Sequence, residues 1–288
     1  MIIEARKMRT PRNRPIIGLH DFDLVTTCEE MHIDTAAGTS HIYVIRPVQT
    51  EGPLPVFLNL HGGGFMKEHG ERDIAFCREM CYLANCAAIS LDYRLAPEYP
   101  YPVAIDEEEA VLRYMADHAD ELGIDASRIV VMGQSSGGNN AEALAMRLKN
   151  DVQINLRGHI SAYLPTDLVK DPADRGCDMD PRRLEMSRMY NLFYIPDGGD
   201  AGNPEISMLY ATEDMLRGMS KGVFILGAKD DLYKDAVEYT EKLKAADVPT
   251  EVYTFEKSGH GFVINQNGEW QKSRMLIAYK LLEMFENA

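Results

Sequence analysis

Apolar residues recur along this chain in two patterns that alternate. Short, almost continuous apolar runs are typical of buried strands, and the stretches between them have an apolar residue every three or four positions, as helices do. This alternation predicts an α/β protein with a mostly parallel, twisted sheet and helices on both faces. The strand-like runs cover 55–60, 86–91, 128–132, 156–162, 222–227 and 250–255, and the helical patterns lie near 73–85, 103–119, 137–149, 232–246 and 269–286.

Two regions depart from this alternation. Residues 29–46 alternate apolar and polar positions around an Ala-Gly turn, which predicts an antiparallel hairpin at the sheet edge and about eight strands in all. Residues 167–203 contain prolines, charges and a stretch rich in Met, Tyr and Phe, and they are too many for an ordinary loop. We expect this lid segment to form a small helical lid over one end of the sheet.

Length and charge narrow the classes of function. The 288 residues contain no linker rich in Pro, Gly or Ser, so we expect one domain over 1–288 with a short N-terminal extension at about 1–28. A formal net charge of −15 disfavours binding to nucleic acids and anionic membrane surfaces. There is no signal-peptide core and no apolar run of bilayer length. We therefore expect a cytoplasmic protein with a small-molecule partner, and we leave open whether it forms a homo-oligomer.

The cysteines do not have the spacing of a metal site. Their number is odd, and no two of them form the C-x-x-C pair that is common in zinc sites. Three lie in an apolar stretch that runs from a predicted helix into a strand, which favours buried free thiols and a reducing compartment. The five are Cys28, Cys77, Cys81, Cys86 and Cys177.

The stretch VVMGQSSGGNN places two adjacent serines between a strand-like run and a helix-forming run. A strand, a tight turn and a helix form the nucleophile elbow G-x-S-x-G, in which the residues two before and two after the serine must be small. Ser135 has Gly133 and Gly137 at these positions, whereas Ser136 would have the long Gln134. Ser135 is therefore the candidate nucleophile, and a Gly/Ser-rich turn without chemistry is the competing interpretation.

A serine hydroxyl needs a base to take its proton and an acid to orient that base. His260 lies between two glycines just after the predicted strand 250–255, and Asp230 and Asp231 follow the predicted strand 222–227. The ends of parallel strands meet at one edge of the sheet, so these side chains are expected close to Ser135. Taken singly, His260 could be an ordinary loop residue, and Asp230 could be the N-cap of the following helix. Their joint order of Ser, Asp and His favours catalysis.

Three glycines in LNLHGGGFM follow another predicted strand. Glycines here allow backbone amides to point at a developing oxyanion, and in lipases and esterases such a loop acts together with the amide after the nucleophile. Gly62, Gly63 and Ser136 are the candidate donors. A phosphate-binding loop is the competing interpretation, but neither G-x-x-x-x-G-K-[ST] nor a strand-linked G-x-G-x-x-G accompanies the glycines.

Together these motifs resemble the hormone-sensitive-lipase-like family of the α/β-hydrolase superfamily, which includes bacterial acetyl esterases and carboxylesterases. The resemblance covers the chain from about residue 40 onward, and it implies an α/β-hydrolase fold. Four motifs match in order: HGGG at 61–64, DYRLAPEYPYP at 92–102, GQSSGG at 133–138 and GHGF at 259–262.

The resemblance assigns roles to individual residues. It implies that Ser135 is the nucleophile, that Asp230, at the head of a D-x-L pattern, is the acid, and that His260 is the base. It also implies that the DYRLAPE stretch is a structural brace near the site. The brace residues expected to pack and hydrogen-bond, rather than react, are Tyr93, Arg94 and Glu98.

The sequence departs from the family pattern at three positions near the site. Gln134 stands where the family usually has an acidic residue, Ser136 where it usually has alanine, and Asp231 where proline is common. The HGGG motif also begins early, at residue 61, so the N-terminal part of the lid is expected to be short or missing.

These observations predict a serine carboxylesterase that hydrolyses acetyl to butyryl esters through an acyl-enzyme, with no metal and no organic cofactor. The alternatives are an amidase or peptidase with the same triad, and a non-catalytic small-molecule-binding protein of the same fold. Bulky side chains are expected to close a small acyl pocket, although apolar residues at helical spacing also fit a plain helix core. They are Met186, Met189, Tyr190 and Phe193 in the lid segment, and Phe65 and Met66 after the glycines.

Overall fold

The computed structural model describes residue 2 and residues 16–175 and 179–286. These residues form one eight-stranded sheet in the order β1-β2-β4-β3-β5-β6-β7-β8. The β1–β2 hairpin pairs antiparallel to β4, and all later neighbours pair parallel, as predicted. The strands are β1 (Thr26–Thr35), β2 (Gly38–Pro47), β3 (Leu54–Leu60), β4 (Ala87–Asp92), β5 (Ile124–Gln134), β6 (Leu156–Ala162), β7 (Gly222–Gly227) and β8 (Thr250–Phe255).

Helices cover both faces of this sheet. In the described part of the chain they are α1 (Glu71–Ala84), α2 (Val103–Asp117), α3 (Ala119–Leu122), α4 (Ser136–Leu148), α5 (Pro181–Tyr194), α6 (Glu213–Leu216), α7 (Tyr233–Ala245), α8 (Phe262–Asn265) and α9 (Trp270–Glu286). Two short 3₁₀ turns lie at Pro172–Arg175 and Met208–Tyr210.

Alternating side chains of the central strands fill two separate apolar cores. In β3, Leu58 packs into the core that α2, α4 and α7 cover, and Phe57 packs into the core that α1 and α9 cover. Both side chains are fully buried. A strand that is buried on both faces has a nearly continuous apolar sequence, which is why the runs were visible without the structure.

Two predicted elements have different bounds in the structure. The helical pattern at 103–119 divides into α2 and the short α3, which ends at Gly123 with a left-handed backbone (φ 64°). The run at 128–132 is only part of β5, because this strand begins at Ile124 and passes through polar residues. Its first residue pairs with Leu54 of β3 and the register shifts before Ile129, so the apolar pattern does not reveal where the strand begins.

The lid segment contains a 3₁₀ turn and helix α5. Asp180 caps this helix by accepting hydrogen bonds from the amides of Arg182 and Arg183, and Pro181 occupies the first turn, where its missing N–H is not needed. Cys177 lies outside the described residues. Of the other cysteines, Cys28 is half-buried and the remaining three are buried, all as free thiols.

Among the helices that the structure describes, none combines the length and the apolar character needed to cross a membrane.

Candidate active site

The turn between β5 and α4 holds Ser135 in a strained backbone conformation, with φ 55° and ψ −120°. A Cβ atom on Gly133 would lie 2.0 Å from the carbonyl oxygen of Gly137, and one on Gly137 would lie 2.0 Å from that of Leu60. Strand and helix therefore cross too closely for any side chain at these two positions. Gln134 is buried away from the crossing and donates a hydrogen bond of 3.0 Å to Asn59.

Ser135, His260 and Asp230 lie in one line of hydrogen bonds. The Oγ atom of Ser135 is 2.9 Å from Nε2 of His260, and Nδ1 of His260 is 2.9 Å from Oδ2 of Asp230. The amide of Leu232 donates to the other carboxylate oxygen of Asp230 at 3.1 Å. The Asp230 side chain is 1% exposed and the His260 side chain 24%. The imidazole thus has a fixed orientation and an open side.

The environment of Asp230 favours its ionised form. Burial acts to raise the pKa of this carboxyl, but the adjacent His260 imidazole, the Leu232 amide and the Arg183 guanidinium together hold the pKa below its ordinary value. An ionised carboxylate at this position stabilises the positive charge that His260 gains when it accepts a proton.

The neighbouring Asp231 has a different partner. Its Oδ1 atom accepts hydrogen bonds from Nε of Arg183 at 2.8 Å and from Nη2 of the same guanidinium. Nη1 of Arg175 lies 3.9 Å from the other oxygen. The side chains of these adjacent aspartates therefore have different partners. Asp230 contacts His260, and Asp231 contacts Arg183 of helix α5.

The glycine loop after β3 packs directly against the elbow. A Cβ atom on Gly62 would lie 2.7 Å from the carbonyl oxygen of Gln134 and 3.3 Å from Cβ of Ser135. Gly63 and Gly64 have φ values of 146° and 63°, which side chains disfavour. The structure therefore brings the predicted donors Gly62 and Gly63 to the same cavity as Ser136, the first residue of α4.

The brace residues hold this loop from behind. Tyr93 donates a hydrogen bond of 2.7 Å from its hydroxyl to the carbonyl oxygen of His61, and the two rings stack with centroids 4.2 Å apart. The backbone amide of Arg94 donates to Glu107 at 2.8 Å, and its guanidinium lies 3.1 Å from the same carboxylate. These contacts agree with the packing role that the resemblance implies.

A cavity of about 620 Å³ opens at this edge of the sheet, and Ser135 and His260 both line it. Three of the six bulky residues named from the sequence also line the cavity, namely Phe65, Met186 and Tyr190. The other three, Met66, Met189 and Phe193, pack together in a small core beneath α5. Tyr190 also packs against this core, and Phe65 is buried in a neighbouring one, so core packing accounts for members of both groups. Closure of a small acyl pocket stays a prediction.

Two groups of cavity residues were not predicted from the sequence. Tyr163 follows β6 and places its ring edge-on to His260, with centroids 5.2 Å apart. Its position after a strand at the same sheet edge was the signal that identified the other site residues. Arg175 and Arg183 lie in the lid segment, and their approach to the Asp230–Asp231 pair depends on where that segment packs, which no local pattern shows.

Within residues 16–175 and 179–286, no group of three or more His, Cys, Asp or Glu side chains is arranged to hold a metal ion. The chemistry that this set of side chains supports is acyl transfer through a serine nucleophile.

Comparison with known proteins agrees with this fold. The model of a family with the alpha/beta hydrolase fold matches residues 57–264, so the chain belongs to that family, and the resemblance predicted from the motifs is confirmed. Among curated proteins, the esterase LipI of Mycobacterium tuberculosis is 30% identical over 238 residues, covering 81% of this chain and 74% of LipI. The carboxylesterase NlhH of the same species is 31% identical over 227 residues, covering 77% and 70%.

Solved structures show the same architecture. A hyperthermophilic esterase from Pyrobaculum calidifontis superposes with a TM-score of 0.83 at 26% identity, covering 98% of this chain and 90% of that one. A thermostable esterase from Pseudomonas putida superposes with a TM-score of 0.85 at 22% identity, covering 99% and 89%, which is evidence for the fold alone.

Proposed function

We propose that the protein is a serine carboxylesterase that hydrolyses esters of short acyl groups through an acyl-enzyme. The observation that carries this proposal is the line of hydrogen bonds from Ser135 through His260 to Asp230, with both distances 2.9 Å, at the wall of an open cavity. Esterase activity named for relatives of 30% identity and more supports ester bonds as the target.

In this proposal Ser135 Oγ attacks the ester carbonyl carbon while Nε2 of His260 accepts the hydroxyl proton. The negative charge on the carbonyl oxygen is held by the amides of Gly62, Gly63 and Ser136, and Asp230 stabilises the imidazolium. The C–O bond to the alcohol then breaks, and His260 returns the proton to the leaving oxygen. Water repeats the sequence on the acyl-enzyme, which releases the acid and restores Ser135.

The surroundings of the site support a short acyl group. We propose that the lid segment 167–203 is an insertion in a single hydrolase domain that closes the cavity, and that residues 1–28 are a short extension. Tyr190 lies directly against the glycine loop, since a Cβ atom on Gly64 would lie 2.4 Å from its ring, and Phe65 also lines the cavity. The cytoplasm remains the proposed location of the protein.

Covalent labelling tests the proposal directly. An organophosphate that phosphorylates activated serines is expected to inactivate hydrolysis of p-nitrophenyl acetate and to add one phosphoryl group to the peptide containing Ser135, found by mass spectrometry. Replacing His260 with Ala is expected to abolish both results, since the base is then lost. Labelling elsewhere, or hydrolysis without labelling, would contradict the assignment.

A matched pair of substrates separates the enzymatic alternatives. An ester and its amide analogue share the acyl group and the site, so the ratio of their kcat/KM values reports the preferred bond. We expect the ester to react faster by several orders of magnitude. A faster amide would identify an amidase, and the absence of both reactions would favour the non-catalytic binding protein.

A further inference from the structure

Helix α5 is anchored unevenly. Its last residues, Phe193 and Tyr194, are buried, and the Tyr194 ring stacks on Phe65 with centroids 3.6 Å apart. None of the residues in its first three turns is buried. The C-terminal end of the helix is therefore fixed by apolar packing, and the first half needs other contacts to stay over the cavity.

Two arginines of this helix form ion pairs, Arg183 in the first half and Arg188 just after it. Arg183 donates to Asp231 from Nε at 2.8 Å and also from Nη2. Arg188 donates to Asp171 at 2.8 Å, but this pair is more open to solvent, with side chains 52% and 42% exposed against 35% and 10% for Arg183 and Asp231. Both contacts are two-point, since Nε and Nη2 of Arg188 reach the two oxygens of Asp171 and those of Arg183 reach one oxygen of Asp231. The pairs differ in exposure, and the pair that is more shielded from water is the less weakened by solvent.

The Arg183–Asp231 pair also lies beside the proposed triad. Asp231 directly follows the acid of the proposed triad, and Nη2 of Arg183 lies 3.9 Å from Oδ1 of Asp230. Both partners line the cavity, as does Met186 one turn further along α5. Neither Arg188 nor Asp171 is among the lining residues. The pair thus joins the free half of the helix to the loop that holds His260 in place.

We propose that Arg183 and Asp231 determine acyl-chain specificity, because their ion pair holds the first half of α5 against the site and closes the cavity to long acyl chains. This inference rests on the proposed esterase function. When the pair is broken, the helix can move outward about its buried end. The space beside Met186 then becomes available to an acyl chain that the closed cavity excludes.

The test compares four variants with the wild type: Arg183→Gln, Asp231→Asn, the double variant, and Arg188→Gln as the matched control from the same helix. The measured quantity is kcat/KM for p-nitrophenyl octanoate divided by kcat/KM for the butyrate. We expect this ratio to rise about fivefold or more in both single variants, the fold-change of a partly buried ion pair. The double variant should rise no further than the singles, because one interaction is lost in each.

The Arg188→Gln control distinguishes a specific role of the Arg183–Asp231 pair from a general loosening of helix α5. Arg188→Gln is expected to change the ratio less than about twofold, since its pair is more exposed and neither partner lines the cavity. Equal ratios in Arg183→Gln, Asp231→Asn and Arg188→Gln would overturn the proposal, as would a ratio that stays at the wild-type value in both single variants.

Hydrogen exchange tests the same pair without relying on activity. The amides of residues 184–190 are expected to exchange faster in Arg183→Gln and Asp231→Asn than in Arg188→Gln, while the amides of Phe193 and Tyr194 keep their wild-type rates. Unchanged exchange at 184–190 would contradict the proposed anchoring. If the wild type hydrolyses no ester, the esterase function fails, and the exchange rates still report whether the pair holds the helix.

Discussion

The two adjacent serines at the elbow differ in their contacts and in their proposed roles. Ser135 directs its hydroxyl to His260 at 2.9 Å, whereas Ser136 is fully buried at the start of α4 and is proposed to act through its backbone amide. We expect Ser135→Ala to reduce kcat/KM for p-nitrophenyl acetate by about 10⁵-fold or more, since the nucleophile is lost. Ser136→Ala keeps the amide and should cost less than about tenfold. A dead Ser136→Ala beside an active Ser135→Ala would show that the elbow register is wrong.

The two adjacent aspartates give a second contrast at the scale of single residues. Asp230→Asn removes the carboxylate that orients His260 and stabilises its positive charge, so we expect kcat to fall by about 10³- to 10⁴-fold with acetyl esters. Asp231→Asn leaves Asp230 in place and is expected to cost less than about tenfold with the same ester. Equal losses in the two variants, measured at one pH, would mean that the roles within the pair are misassigned.

The pH profile distinguishes two histidines of the cavity. Burial, together with the nearby His61 and His41, lowers the pKa of His69 to about 3, so this side chain stays neutral above that pH. His260 can act as the base only in its neutral form, so kcat/KM is expected to decline as the solution is acidified. The decline should stay at the same pH in His69→Asn, whatever its level of activity. A rate that is flat from about pH 5 to 8 would argue against His260 as the base.

At this scale the sequence predicted the proposed triad, which the structure brings together, and did not predict the partners of Asp231. Ser135, Asp230 and His260 each follow a strand and sit in a short motif, so their type and position were both visible. The partner of Asp231 was not visible, because Arg183 lies far along the chain in a helix whose packing no local pattern determines. Charged residues on a surface helix are common, and only the structure shows which of them faces the site.

At the scale of elements, the crossing of β5 and α4 depends on backbone contact. Gly133→Ala would place a methyl group 2.0 Å from the carbonyl oxygen of Gly137. We expect this variant to lose about 3 kcal/mol or more of unfolding free energy, because neither backbone segment can yield without moving the sheet. Gly202→Ala is the control, since its nearest neighbour is the movable Asp200 side chain at 3.1 Å. Urea denaturation measures both, and similar midpoints would contradict the steric argument.

The ends of the strands show where the apolar pattern of the sequence and the observed secondary structure differ. Strands buried on both faces, such as β7 at Gly222–Gly227, have the bounds that the apolar run predicts. Strand β5 extends four residues before the run at 128–132, through Asp125 and Ser127. Of these four only Ile124 pairs with β3, opposite Leu54, and the register shifts before Ile129, where the side chains between are half-buried or exposed. The apolar pattern reports burial, and it reports secondary structure only where the two coincide.

At the scale of the whole molecule, parallel pairing assembles the site. Strands β3, β5, β6, β7 and β8 run in one direction, so the glycine loop, Ser135, Tyr163, Asp230 and His260 all emerge at the same edge of the sheet. The sequence predicted this arrangement because alternation with helices indicates parallel strands, whose ends meet at one edge of the sheet. It did not predict the cavity's shape, which depends on how the lid segment packs across that edge.

The acyl-length profile is the prediction that involves the whole cavity. An extended apolar trough would gain about 0.8 kcal/mol per buried CH₂ and would make kcat/KM rise with chain length. Here Phe65, Tyr190, Arg183 and Asp231 all line the cavity, and in our proposal the Arg183–Asp231 pair keeps it closed to long chains. We expect kcat/KM for p-nitrophenyl esters to be highest from acetyl to butyryl and to collapse by about ten carbons. A maximum at octanoyl or longer in the wild type would instead favour a lipase.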